Sequence, residues 1–575
     1  MKMKGIIYVL LLGLFFTSCK KYLDPKIDTS LSDEGVWNDP DYSLGVLMAT
    51  YSSLPGFYDN FGNNFLDVAT DDAVSNDYGS VIKIMAMGGW TVAYNPMDSW
   101  GNCYIQIRNA NKFLENGETA RYSYDSTKNG KIRRRSKGEA YYMRAWYEWE
   151  LLQRFGGKAA NDQFLGFPIV TKVLSIEDPA SINVPRNTYE ACVSQITGDL
   201  DSAIKYLPLE YSGSDDQLGS VQTGRASAMA AKALKARMYL YAASPAFAEA
   251  FSGMTQQQLW ERAAKAAREV IVNAGSLPAI DLNAPANFYN NPNHADFIWR
   301  KYAGDGNGPE SRNFIPSLWG SGLTNPSQQL VDAFPASNGY PITDADAAYN
   351  PQNPYVNRDR RLGWNVLVNG ASFKGTTVEA FEKGKDTEAG RYNKATLTGY
   401  YLRKWMHDGV SLQPGGGGSA RHFYAFLRKT EVWLNYAEAA NEAWGPNADP
   451  LSLGMTATTA LKAIRTRAGF SADNYLSAVT AEGREAFRQL VRNERRIELC
   501  FENHRFFDLR RWMVPLSELS QTIKGVKIIR NTNGGFSFDY SKQVQKLAYL
   551  PNMYYGPIPE SVLYRSGNII QNKGW

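Results

Sequence analysis

GEAYYMRAWYEWELLQRFGG, residues 138–157, decides the fold class. Ser136 stands three residues before Glu139. That is the spacing of a capping box, in which a hydroxyl and a carboxylate satisfy the free N–H groups at a helix start. The spacing predicts a helix that opens at Ser136, carries AYYMRAWYEWELLQRF and stops at Gly156-Gly157.

Working outward, further helical segments are spread along the chain. RASAMAAKALKARMYLYAAS, Arg225 to Ser244, is rich in strong helix formers and stops before Pro245, which cannot continue a helix. WERAAKAAREVI follows from Trp260. In RKTEVWLNYAEAANEAWGP, Trp433, Tyr436, Ala437, Ala440 and Trp444 recur at helical spacing and form one apolar face, closed by Gly445-Pro446. EAFRQLVRNERRIELCFE starts near Glu485. The alanine-rich faces at 226–243 and 436–443 suit close helix–helix packing of the tetratricopeptide kind, although no clean 34-residue period is present. Long Gly/Asn/Pro/aromatic stretches separate the helices, at roughly 51–100, 281–370 and 520–558. Loops of this length are uncommon in compact domains unless they carry function. The picture is a helical scaffold bearing large irregular insertions.

Composition narrows the functional classes. Charged residues make up 21% of the chain and the net charge is +5, too mild to argue for nucleic acid or an anionic membrane surface. Aromatics reach 13%, with 14 Trp and 34 Tyr, enough for a large core with rings left over for the surface. Four His without an HExxH pattern and four scattered Cys without a CxxC pair leave zinc chemistry without support, and no metal or other cofactor is expected. Cys103, Cys192 and Cys500 read as small buried thiols, not as a disulfide framework. Asp344 and Asp346 form a DxD, but no glycine or distal glutamate stands at calcium-loop spacing. PGGGGS at 414–419 lacks the ending of a phosphate-binding loop.

The chain begins MKMKGIIYVLLLGLFFTSC. Lys2 and Lys4, an apolar run from Ile6 to Phe16 and Thr17-Ser18 before Cys19 form a secretory signal, too short to span a bilayer. The cysteine directly after Thr-Ser resembles that of a bacterial lipoprotein signal, in which it is acylated and becomes the first mature residue. Phe16 stands where most such signals carry Leu. One acyl chain anchors weakly and several anchor stably. The expected segments are therefore a lipoprotein signal at 1–18, a region at 19–280 and a region at 281–575, the latter two forming one interleaved globular unit.

NERRIELCFENHRFFDLRRW, residues 493–512, is the densest charged motif. Glu494, Glu498 and Glu502 recur every four residues, which puts three carboxylates on one helix face. Paired carboxylates can perform acid–base work. Here interleaved arginines would hold them ionised, so a structural ion-pair network is the expectation.

Together these segments resemble the SusD/RagB family of outer-membrane nutrient-binding lipoproteins. CKKYLD at 19–24, the Trp100, Tyr104, Ile107, Asn111 spacing, the 138–157 segment followed by GFPIV, NPSQQLVDAF from Asn325, NRDRRL from Asn357, the 428–445 helix, IRTRAGF, the 493–512 motif and the closing PIPESVLYRSGNIIQNKGW stand in the family's order. The resemblance implies an all-α fold, a tetratricopeptide-like helix-pair scaffold with large irregular insertions that form the ligand face, in a non-enzymatic, lipid-anchored protein on the outer face of a Gram-negative outer membrane. It implies capture of an oligosaccharide and its delivery to a SusC-like, TonB-dependent transporter, with no nucleic-acid partner. A surface glycoside hydrolase and a peptide-binding lid of a nutrient transporter remain the alternatives.

With a sugar ligand in view, aromatics in the irregular stretches are the binding candidates: Trp90, Tyr289, Trp299 and Trp319. A flat ring covers the C–H face of a sugar, contributing roughly 1.5 kcal/mol for about 60 Å² of apolar surface. The polar cluster Asp71, Asp72, Asn76 and Asp77 either supplies partners for sugar hydroxyls or is a solvated loop; Asp71 and Asn76 are its candidates for ligand contact.

Overall fold

The structure is a computed structural model that describes residues 33–175, 177, 183–388 and 395–575. The signal segment 1–18 and Cys19 lie outside the described residues. The fold is mostly helical, with 45% helix and 11% strand. Ten long helices, numbered in chain order, carry the scaffold: α1 Pro40–Ser52, α2 Trp100–Asn116, α3 Ser126–Phe155, α4 Tyr189–Tyr206, α5 Ala228–Ala243, α6 Gln256–Ala274, α7 Lys429–Trp444, α8 Ala457–Arg467, α9 Asn474–Glu482 and α10 Arg484–Leu499.

Local chemistry sets most of these ends. Asp125 accepts the Lys128 N–H at 2.8 Å and caps α3. Ser227 caps α5, and Thr255 with Gln258 forms a capping box on α6. Gly156 ends α3 and Gly445 ends α7, as expected. The expected start at Ser136 is corrected: α3 opens at Ser126, and the Ser136 hydroxyl donates to the Ile132 carbonyl at 2.7 Å inside the helix. Glu139, the other half of the expected box, is instead buried against Arg135 at 3.0 Å and Arg225 at 2.9 Å.

Successive helices pack as neighbours from α2 through α3, α4, α5, α6 and α7 to α8, and α10 returns onto α7. Alanines line these contacts: Ala230, Ala233, Ala236, Ala263, Ala267, Ala437 and Ala440 are all buried. Small side chains let helix axes approach closely, which is the helix-pair arrangement the alanine faces predict. Cys103, Cys192 and Cys500 are free and buried, and burial pushes the thiols of Cys103 and Cys192 up to about 12.

The insertions build a second, aromatic-rich core beside the helical one. Residues 58–97, 288–406, 423–425 and 497–553 supply it. The helical core in turn takes residues from both halves of the chain, from Leu54 to Ile558. The sheets among the described residues are all two-stranded. The longest pairs β2 Phe297–Gly306 with β4 Ala420–Arg428, antiparallel and interrupted by bulges. Two short strands, β1 Ala73–Ser75 and β3 Thr324–Pro326, pair in the N-terminal and central insertions. Near the C-terminus, β5 Thr522–Lys524 pairs with β8 Gln543–Lys546, and β6 Lys527–Arg530 pairs with β7 Phe536–Asp539. Among the described residues no helix is long and apolar enough to cross a membrane.

Candidate functional site

The 493–512 motif joins the two cores. Glu494 accepts from Arg361 at 2.6 Å and Arg465 at 3.0 Å. Glu498 accepts from Arg361 at 2.9 Å, Arg467 at 3.0 Å and Arg428 at 3.2 Å. Glu502 accepts from Lys404 at 2.7 Å and Arg428 at 2.8 Å. All three carboxylates are buried. They do not share one helix face, because α10 ends at Leu499 and the chain turns through the left-handed residues Phe501 and Asn503 before and after Glu502. Burial alone would raise the Glu498 carboxyl, but Arg467, Arg428 and Arg361 outweigh it and hold the group well below the ordinary carboxylate range. A carboxylate held ionised this way serves as a structural strut and not as a general acid.

The same motif absorbs a predicted ligand contact. Arg496 pairs with Asp72 at 2.6 Å and Asp71 at 3.0 Å, and Arg505 pairs with Asp71 at 2.9 Å. Asp71 is buried and its oxygens are committed to these guanidinium groups. Its assignment to ligand binding is corrected: it fastens the N-terminal insertion to α10.

Three of the four aromatic candidates are core residues, so their assignment as stacking platforms is also corrected. Trp299, on β2, is 1% exposed; it packs on Phe426 at 4.4 Å and on Tyr142 and Trp146 at 4.9 Å, and donates to the Gly224 carbonyl. Trp90 is 3% exposed between Phe506 and Trp575 and donates to Asn95. Tyr289 is 9% exposed against Trp405 and donates to Asn365. Rings this deeply buried offer a sugar no open face. Trp319 is half-buried, in a left-handed turn that closes Pro316–Leu318.

Asn76 and the Trp319 turn do converge on one place. The Asn76 amide donates to the carbonyls of Ser321, Gly322 and Ala395 at 2.8, 2.9 and 3.2 Å. It is buried, so it positions the turn that follows and does not itself face solvent. That turn, Asp77-Tyr78-Gly79-Ser80, projects Tyr78, which is 79% exposed. Asp77 accepts the Gly79 N–H, and Ser80 accepts the Lys83 N–H. Lys83 reaches back to the Ser75 carbonyl at 2.9 Å and lies 4.5 Å from the centre of the Tyr78 ring.

Tyr78 and Lys83 border a cleft of about 820 Å³ between the 380–388 and 396–399 segments and the β6 and 539–544 strand region. Its walls are bonded together. Glu382 N–H donates to the Ile528 carbonyl, and Val526 N–H donates to the Thr398 carbonyl, both at 2.8 Å. Gly399 makes the second contact possible: its φ is +90°, and a Cβ there would lie 2.8 Å from the Val526 carbonyl. Asp386 accepts N–H groups of Ser317 and Glu379 and ties this wall to the Trp319 turn. Ser541 and Gln543 bring a hydroxyl and an amide to the lining, the Thr387 and Thr396 hydroxyls are bonded to the Gly384 and Tyr400 carbonyls, and charged residues of both signs complete it. Glu382 pairs with Lys527 at 3.0 Å. The Ser541 hydroxyl and N–H hold Asp539 below the ordinary carboxylate range. Of the strongly exposed aromatic residues described — Tyr42, Tyr78, Tyr124 and Tyr564 — Tyr78 is the one that lines this cleft. The reading of long insertions as function-bearing points to this region, but Tyr78 itself was missed; its signal was a tyrosine between Asp and Gly in a polar turn.

The sequence profile described as "SusD family" matches residues 295–575, and that described as "Starch-binding associating with outer membrane" matches residues 22–240. The chain belongs to the SusD/RagB family. A SusD-like protein of Formosa agariphila is 23% identical over 90% of this chain and 91% of its own length. The fold matches a SusD-like protein from Bacteroides fragilis with a TM-score of 0.73 at 24% identity, covering 96% of this chain and 100% of that one. It matches a SusD-like carbohydrate-binding protein from the same species with a TM-score of 0.69 at 22% identity, over 93% and 99% of the two chains. A laminarin-binding SusD-like protein aligns with a TM-score of 0.58 at 20% identity, over 94% and 100%.

Proposed function

We propose that this protein captures an oligosaccharide in the Tyr78 cleft and passes it to a SusC-like, TonB-dependent transporter, while an acylated Cys19 tethers it to the outer face of the outer membrane. The observation that carries the reading is the Tyr78 ring, 79% exposed beside a cleft of about 820 Å³ rich in hydroxyl, amide and charged groups. A sugar needs both parts: an apolar surface for its C–H face and polar partners for its hydroxyls. Two SusD-like relatives of the same fold are described as binding carbohydrate or laminarin, which supports the ligand class. Trp319 and Asn76 act here as neighbours that brace the Tyr78 turn. Residues 19–280 and 281–575 act as one interleaved unit in this reading, supported by two cores that each draw on both.

A non-catalytic role is part of the proposal. Retaining and inverting glycosidases need one carboxylic acid that holds its proton near neutral pH. Of the three carboxylates lining this cleft, Asp539 is shifted the other way and Glu382 is ion-paired, which leaves Glu388 without an opposing partner acid of the kind a glycosidase needs. The test is retention on a panel of immobilised glycans, with product analysis of the flow-through. Wild type should be retarded by at least one glycan without cleaving it. Tyr78→Ala should lose about tenfold in affinity, the equivalent of roughly 1.5 kcal/mol of lost stacking, with an unchanged melting temperature. Retention that is indifferent to Tyr78→Ala would move the site elsewhere, and released sugars would favour the hydrolase.

A further inference from the structure

On the opposite chemistry from the ligand cleft, a pocket of about 400 Å³ opens between the N-terminal ends of α6 and α10 and the last turns of α7. Arg484, Arg488 and Arg492 line it. Spaced four residues apart, they stand in a row along one face of α10, about 6 Å from one to the next. The carboxylates at the pocket are already engaged. Arg488 holds Glu442 through two contacts of 2.6 Å, and Glu438 takes two bonds from Arg511 and one from the Trp512 indole at 2.6–2.7 Å. Among the described residues, no carboxylate lies within ion-pair distance of Arg484 or Arg492. Arg492 lies 4.7 Å from the centre of the Trp512 ring, and its Nε is buried without a hydrogen-bond partner. Gln256 and Gln257, the first two residues of the 19-residue α6, also line the pocket. The Thr255 hydroxyl takes the N–H of Gln258, while the N–H groups of the first helical positions have no partner within a helix. A helix N-terminus adds its own positive potential.

We propose that this pocket binds a small oxyanion group, a carboxylate or a sulfate, at a site separate from the glycan cleft. The chemistry is that of an incomplete ion pair. Arg484 and Arg492 stand on either side of Arg488, neither paired with a carboxylate among the described residues, and the unpaired buried Nε of Arg492 is costly until an acceptor arrives. Burial opposes the charge on Arg492 and, with Arg511 and Arg488, outweighs the support of Glu438 and Glu442, so an incoming anion relieves an existing penalty. The planar fork of arginine suits both anions, which present two or more oxygens in one plane or face.

The test is calorimetric titration of the full chain with sodium sulfate and with sodium D-glucuronate, against sodium chloride at equal ionic strength. Saturable binding of either anion over chloride is expected. Arg484→Gln and Arg492→Gln should each weaken it about tenfold, the loss of one charge-assisted hydrogen bond. Arg492→Lys, which keeps the charge and loses the fork, should fall between. Arg484 is exposed, so its variant keeps the test valid even where an Arg492 variant folds poorly. Sulfate binding alone identifies a free inorganic anion as the occupant; tighter binding of glucuronate identifies an acidic sugar. Tyr78→Ala should leave the titration unchanged, which separates this site from the cleft. Equal heats for all three salts, or affinity unchanged in both glutamine variants, would overturn the proposal.

Discussion

Replacing Glu498 by glutamine keeps the shape of the side chain and removes the charge on which three arginines converge. The cost follows from what each arginine retains. Arg361 keeps Asp359 at 2.7 Å and Glu494 at 2.6 Å. Arg428 keeps Glu502 at 2.8 Å and Asp296 at 3.1 Å. Arg467 keeps only Asp296, at 3.5 Å, among the described residues. Breaking a buried ion pair typically costs about 3–5 kcal/mol, and with two of three partners still well paired the loss belongs at about 3 kcal/mol. Unfolding entropy is roughly 2.1 cal/mol/K per residue, about 1.2 kcal/mol/K for a chain of this length, so the melting temperature should fall by about 2–3 °C. The pH dependence supplies a second readout. The folded state depresses the Glu498 pKa, so its contribution is fully present above the unfolded value of about 4.3 and is lost as pH falls toward the folded one. Circular-dichroism melts of wild type and Glu498→Gln should therefore stay apart by a constant gap from pH 8 to pH 5 and begin to converge only below about pH 4, closing as pH approaches the depressed folded value. Glycan retention at a temperature where both are folded should be equal. An unchanged melting temperature combined with lost retention would show that Glu498 reads the ligand, and the ion-network argument would fail.

Trp299→Ala should cost about 3–5 kcal/mol in chemical denaturation, because three buried ring contacts are lost; a variant as stable as wild type would contradict the core placement. Asp67 is pushed up to about 7 by burial and by the neighbouring Asp72 charge. Its raised pKa means stability falls as pH climbs from about 4 to about 7, by up to about 4 kcal/mol. Asp67→Asn, which keeps an acceptor for the Phe501 N–H, should melt above wild type at pH 8 and level with it at pH 4; the reverse order would refute the assignment. Cys19→Ala should abolish labelling by a fatty-acid probe and release the protein from outer-membrane fractions, and wild-type behaviour in both assays would dismiss the anchor.

By itself the sequence determined the scaffold. Helix formation is governed by near neighbours: the alanine-rich run before Pro245, the apolar face from Trp433 to Trp444 and the glycines at 156 and 445 specify helices whose partners are a few residues away. It also foretold that the 493–512 carboxylates would be consumed by arginines, because opposite charges so dense must neutralise one another when buried. Where a local signal had a competitor, it misled. Ser136 lost the role of helix cap to Asp125 once Glu139 was drawn into a buried pair. The ligand face was legible only as a region. Whether an aromatic ring in an irregular segment meets solvent depends on partners hundreds of residues away, such as Phe426 on Trp299 or Trp575 on Trp90, and no local pattern encodes them. Tertiary structure alone buried those rings, committed Asp71 to Arg496 and Arg505, and left Tyr78 exposed on a turn held by the amide of Asn76. The physical reason is range: helix propensity and capping act within a turn or two of chain, whereas solvent exposure is decided by what the whole fold packs on top.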